Sequence, residues 1–190
     1  MAERSPNPRA LLEYDVFATP DLTASGGFRS LSPPSGFLDA GSGPHFFKVR
    51  CLFCGDESKK DVALYALAPG AQGCSERFGS RLLTRRCHPT CPNPAHMVRK
   101  CASPDCRELG SIELQEVAGS LRQTGRLRFL TIKCQGYEIL VYTAGQKWVA
   151  VSATGEVVPV FYGTGNMFKG PDAARNEVAI RTDFQVVQKE

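Results

Sequence analysis

Eight cysteines and three histidines are the residues of this chain whose types and spacing can do chemistry. Cys51 and Cys54 stand as C-x-x-C in CLFCG, Cys87 and Cys91 sit in CHPTC, and Cys101 and Cys106 in CASPDC. Cys74 stands alone after PGAQG, and His96 follows Cys91 by five residues. Zinc takes four tetrahedral ligands, thiolate sulfur or neutral imidazole, and two usually come from each of two tight turns. Gly55, directly after the C-x-x-C, suits a turn that needs a positive φ. The spacing predicts one or two zinc ions. The simplest assignment puts Cys51, Cys54, Cys101 and Cys106 around the first, and Cys74, Cys87, Cys91 and His96 around a second nested inside the first loop. His88 competes with His96, and the pairing of ligands between the sites stays open.

A free cysteine is often only a small buried hydrophobe. Cys134, in LTIKC, reads that way, and Cys74 can be read so too. The clustered pairs do not. Pro89, Pro92, Pro94 and Pro104 hold their stretch out of helix. That stretch has almost no apolar side chains to order it, so metal must replace the core.

Catalytic patterns are weaker. A Cys–His nucleophile pair would need a thiolate free of metal, which leaves Cys134 with His45 as the cysteine-hydrolase alternative. No H-E-x-x-H or H-x-E pattern supplies a catalytic zinc with a carboxylate base. GTGNMFKG resembles a phosphate loop only loosely and leads toward Pro171. Basic residues gather near the ligands: Arg77, Arg81, Arg85, Arg86, Arg99, Lys100 and Arg107. Arg77, Arg81 and Arg85 are four apart, so on a helix they share one face. Such a patch can bind phosphates of a phosphoprotein or of nucleic acid, or be a solvated face. Tyr137, Tyr142, Trp148, Phe161 and Tyr162 can stack bases, although aromatics at alternating strand positions are more often core.

The elements that must position these residues fall into three segments of the 190-residue chain. Residues 1–44 lack cysteine and read as a largely disordered arm, with ALLEYDVFATPDL (10–22) as an exception that reads as a partly ordered tail or, alternatively, as a short docking segment. Residues 45–125 form the zinc module, with strand character in HFFKVRC and DVALYAL and helix-compatible runs at 75–86 and 111–122. Residues 126–190 hold five β-rich runs separated by glycine-containing turns, expected to form an antiparallel meander, sandwich or small barrel. Pro159 places its run at an edge or a bulge. The expected class is therefore α+β, rich in β. Composition is ordinary for a globular protein, and a net charge of +4 is too slight to argue for nucleic acid. With no run of about 18 apolar residues and no signal-peptide pattern in residues 1–40, a cytoplasmic or nuclear protein without a membrane span is expected.

FFKVRCLFC followed by PAHMVRKCASPDC (residues 46–54 and 94–106) resembles the atypical zinc domain that precedes the RING domains in parkin-type ubiquitin ligases. There too a strand enters a C-x-x-C and a later C-x4-C carries Ser-Pro. The resemblance implies that Cys51, Cys54, Cys101 and Cys106 hold one zinc. It also implies an interaction domain for a phosphorylated, ubiquitin-like protein partner. The pairs stand farther apart here, the family's upstream cysteine pair is missing, and no RING follows. The expectation is a non-enzymatic zinc-binding adaptor with a protein partner and no small-molecule substrate. The alternatives are a zinc-dependent RNA or single-strand binder, and a hydrolase using Cys134.

Overall fold

Alternating apolar side chains set most of the strands. In LLEYDVFATP, Leu12, Tyr14, Val16 and Ala18 are buried on one face while Leu11, Glu13, Phe17 and Thr19 turn outward. This is β1 (Leu11–Pro20). The others are β2 (Phe28–Ser32), β3 (Pro44–Cys51), β4 (Val62–Tyr65), β5 (Met97–Lys100), β6 (Leu109–Glu116), β7 (Leu127–Gln135), β8 (Tyr137–Thr143), β9 (Lys147–Ser152), β10 (Val157–Gly163), β11 (Met167–Pro171) and β12 (Glu177–Gln188). The structure is a computed structural model that describes residues 7–23, 27–33, 44–65, 97–118, 120–122, 125–145, 147–171 and 177–190.

Among the described residues, nine strands form one antiparallel sheet in the order β2-β9-β10-β11-β12-β1-β7-β6-β5. The sheet is curled into a half-barrel. Its two flanks meet where Leu31 of β2 and Leu121, just past β6, exchange backbone hydrogen bonds of 2.9 and 2.8 Å. A second sheet, β4-β3-β8, packs its β8 strand against β12 and also against β1, β6 and β7. Tyr142 of β8 sits at the centre of this packing. Its ring lies 5.1 to 5.8 Å from those of His45, Phe47, Phe129 and Phe184.

The α+β expectation is overturned: the described residues contain no helix. The helix-compatible run at 111–122 is β6 and the bend after it. Its Glu, Leu and Gln favour helix locally, but Ile112 and Leu114 alternate with half-buried Ser111, Glu113 and Gln115, and β7 supplies six paired neighbours. Residues 11–20 form a strand paired on both sides, with β12 and with β7, rather than part of a loose arm. The large sheet draws strands from all three segments of the sequence. β10 is internal, not an edge. Its pairing with β9 runs through Pro159, whereas its pairing with β11 begins only at Phe161, so the missing N–H falls beside the shorter ladder. The run at 75–86 lies outside the described residues.

Candidate metal centre

Two turns from different sheets build the site. β3 ends at Cys51, and the chain folds back at once. The Gly55 N–H donates to the Cys51 carbonyl at 2.8 Å and the Cys51 N–H to the Asp56 carbonyl at 2.9 Å. Gly55 has φ +79, a value that favours glycine, as its place after the C-x-x-C implied. Beyond the tip, Ser58 returns to β3 by a 2.8 Å bond to the Val49 carbonyl. Arg50 then fixes the turn sideways, with ion pairs of 2.9 Å to Glu57 and 2.9 Å to Glu138 of β8. The second turn joins β5 to β6, where the Cys101 N–H donates to the Glu108 carbonyl at 2.9 Å.

These turns bring the sulfurs of Cys51, Cys54, Cys101 and Cys106 together, all within 4.8 Å of one another. Cys51 and Cys106 stand 3.8 Å apart, and Cys54 and Cys101 stand 3.6 Å apart. Four sulfurs about 2.3 Å from one zinc ion are about 3.8 Å apart at the corners of a tetrahedron. The spacing is too long for disulfides and fits a single ion. The four cysteines are therefore a cluster that can coordinate a metal.

Backbone amides face the sulfurs. The N–H groups of Asp56, Ser103 and Glu108, each two residues past a cysteine, point at the sulfurs of Cys54, Cys101 and Cys106. The Ser103 bond is 3.4 Å long. These donors offset negative charge on the thiolates, as outer-shell hydrogen bonds do around metal ligands. The Asp56 amide draws the Cys54 thiol below its ordinary value. Burial pushes Cys101 up to about 12. At Cys106 the Glu108 amide pulls downward, but burial and the neighbouring sulfurs leave the thiol raised. Exposure divides the set: Cys51 and Cys106 are buried, Cys101 is half-buried and Cys54 is exposed.

The floor of the site is the turn between β7 and β8. The Leu52 N–H donates to the Gly136 carbonyl at 3.0 Å. Gly136 has φ +77, and a Cβ there would stand 3.1 Å from the Phe53 ring. A Cβ on Gly110 would overlap the ring of Tyr137. Sequence reading missed this floor, because it assigned Gln135-Gly136-Tyr137 to a separate β domain. The Q-G-Y turn signal was present, but nothing local tied it to cysteines more than 25 positions away.

Cys74, Cys87, Cys91, His96, His88, Arg77, Arg81, Arg85 and Arg86 lie outside the described residues. Arg99 is in β5, and Lys100 is exposed at its end, next to Cys101. Of the five aromatics, Tyr137, Tyr142 and Trp148 are core and Tyr162 is half-buried, whereas Phe161 is 52% exposed. Cys134 is buried, its S–H donates to the Tyr137 carbonyl at 3.0 Å, and burial pushes its thiol up to about 12. Those are the conditions of an unreactive thiol. His45, the suggested base, has its Nδ1 2.9 Å from the Tyr142 hydroxyl.

No family model matches the chain, and no curated protein matches it. Among solved structures the chain is similar to a crystal structure of C1orf123, with a TM-score of 0.61 and 17% identity over 95% of this chain and 100% of that one. It is also similar to a hypothetical protein from Plasmodium falciparum, with a TM-score of 0.61 and 11% identity over 92% of this chain and 99% of that one. At such identities the likeness shows the fold alone.

Proposed function

We propose that this is a zinc-binding, non-enzymatic interaction protein. The observation that carries the reading is the four-sulfur cluster of Cys51, Cys54, Cys101 and Cys106, with nonbonded distances of 3.6 and 3.8 Å. Four thiolates fill a tetrahedral zinc and leave no open position, which is the pattern of structural rather than catalytic zinc. When bound, the ion supplies cross-linking of two sheets, and the cysteines supply all of its ligands. Metal analysis of protein purified without added zinc tests this. One to two equivalents per chain are expected, and a folded, metal-free protein overturns it.

The partner reading is supported by β10. An antiparallel strand with one solvated face normally turns polar side chains outward. β10 instead exposes Val157, Pro159 and Phe161. Beside them on β9 stand half-buried Val151 and Val149, and Lys147 pairs with Phe161. Apolar surface rimmed by polar groups is typical of protein contact sites. The parkin-type resemblance suggests a phosphorylated, ubiquitin-like partner. Titrating ubiquitin, its phosphorylated form and a single-stranded RNA at about 0.15 M salt, where the Debye length is about 8 Å, tests the class. Protein binding weakened by Phe161→Ser is expected. Submicromolar RNA binding without protein binding overturns it in favour of a nucleic-acid binder.

A further inference from the structure

The four sulfurs are not equivalent. Cys51 and Cys106 are 3% and 8% exposed, on the inner side of the cluster. Cys54 is exposed at the tip of its turn, and the sulfur of the half-buried Cys101 lies 3.6 Å from its own. A solvent-borne oxidant can reach the outer pair and not the inner one. The outer pair also joins the two turns, since Cys54 belongs to the β3 tip and Cys101 to the β5–β6 loop.

We propose that Cys54 and Cys101 are a peroxide-reactive pair, whose oxidation to a disulfide releases the metal and ties the two turns covalently in its place. This rests on the zinc reading above and adds a modification site to it. The Cys54 thiolate attacks one oxygen of hydrogen peroxide. The O–O bond breaks, the leaving oxygen departs as hydroxide and is protonated to water, and Cys54 becomes a sulfenic acid. The Cys101 sulfur then attacks Cys54 Sγ. The S–S bond forms, the S–O bond breaks, and a second hydroxide leaves as water. Two thiolates, one hydrogen peroxide and two protons thus give one disulfide and two waters. Cys51 and Cys106 alone remain to the metal, which is too few to hold it in a tetrahedral site. A thiol reductant restores the pair.

The experiment uses the full chain as purified, with its zinc content measured first. Hydrogen peroxide is added in steps, released zinc is read with a chromogenic chelator, and disulfides are mapped by mass spectrometry after alkylation. The expected result is one zinc released for each Cys54–Cys101 disulfide, reversed by dithiothreitol with added zinc. The Cys134→Ser variant should behave identically. In a second measurement, limiting iodoacetamide should label Cys54 before Cys51 and Cys106. A Cys51–Cys54 disulfide, a sulfinic acid at Cys54 without a disulfide, or zinc retained under excess peroxide would overturn the proposal. Protein that is free of zinc from the outset would overturn the zinc reading instead, so the two failures are told apart.

Discussion

Asp15 faces the outer side of the sheet, yet its side chain is only 12% exposed. It accepts a 2.8 Å hydrogen bond from the Thr131 hydroxyl and a 3.2 Å bond from Arg128. Burial alone would raise its carboxyl, but these partners and Lys189 outweigh burial and hold it below its ordinary value. A carboxylate depressed in the folded state contributes stability above its unfolded value, near 3.8, and loses it as pH falls through the folded value. Asp15→Asn should cost about 1.5–3 kcal/mol near pH 7, the range for hydrogen bonds to a charged group. In urea titrations that gap should close as pH falls below the ordinary carboxylate range, and a gap that is constant with pH would contradict the assignment. Gly110 offers a second test at this scale. Its Cβ would overlap Tyr137 and stand 2.9 Å from the Gln135 carbonyl, so Gly110→Ala should destabilise by about 1–3 kcal/mol through overpacking. The four clustered cysteines were the most legible residues because their chemistry is local: a C-x-x-C with glycine behind it already encodes a turn. Asp15 was illegible, since Thr131 and Arg128 lie more than 110 positions away.

At the level of elements, period-two alternation decided what could be read. The runs RLRFLTIKC, YEILVYT, KWVAVSA, VVPVFYG and EVAIRTDFQVV all lie on strands. β6 shows why another run was misread. SIELQE combines helix-favouring residues with an alternating pattern, and only the neighbour on each side resolves the conflict. From sequence β1 reads as a tail because the proline- and glycine-rich composition around it masks four alternating apolar positions, Leu12, Tyr14, Val16 and Ala18. Its buried face packs on β7, where Val16 opposes Leu130 and Tyr14 opposes Ile132. A β6 paired on both sides makes a definite prediction. Leu114 is 2% exposed and pairs with Ile132, so Leu114→Ala should cost about 2–5 kcal/mol by leaving a core cavity. Denaturant midpoints measure this. A cost below about 0.5 kcal/mol is what a solvent-facing helix position would give, and it would contradict the strand.

For the molecule as a whole, the centre ties two sheets with different sources of stability. The large sheet holds most of the apolar core, and its central strands β12, β1 and β7 bury residues that owe nothing to the metal. Each such side chain contributes about 1.5–3 kcal/mol when fully buried. The β3 tip and the β5–β6 loop have little of this: Gly55, Asp56, Ala102, Pro104 and Asp105 are all exposed. Structural zinc supplies on the order of 10 kcal/mol in small metal-ordered units, far more than those turns can draw from burial. On the zinc reading proposed above, removing the ion should therefore loosen the molecule unevenly. After chelation, amides of residues 50–58 and 100–110 should exchange with solvent first, because their hydrogen bonds to Gly136, Asp56 and Glu108 are held by the cluster. Amides of β1, β7 and β12 should stay protected until global unfolding, and the strand signal in circular dichroism should persist. Cys51→Ser should reproduce the chelated pattern, whereas Cys134→Ser, whose thiol only packs and donates to Tyr137, should leave the two turns protected. Uniform loss of protection across both sheets would instead make the metal a requirement for the whole fold. That outcome would mean that the curled sheet cannot close on its own core without the clasp between β3 and the β5–β6 loop.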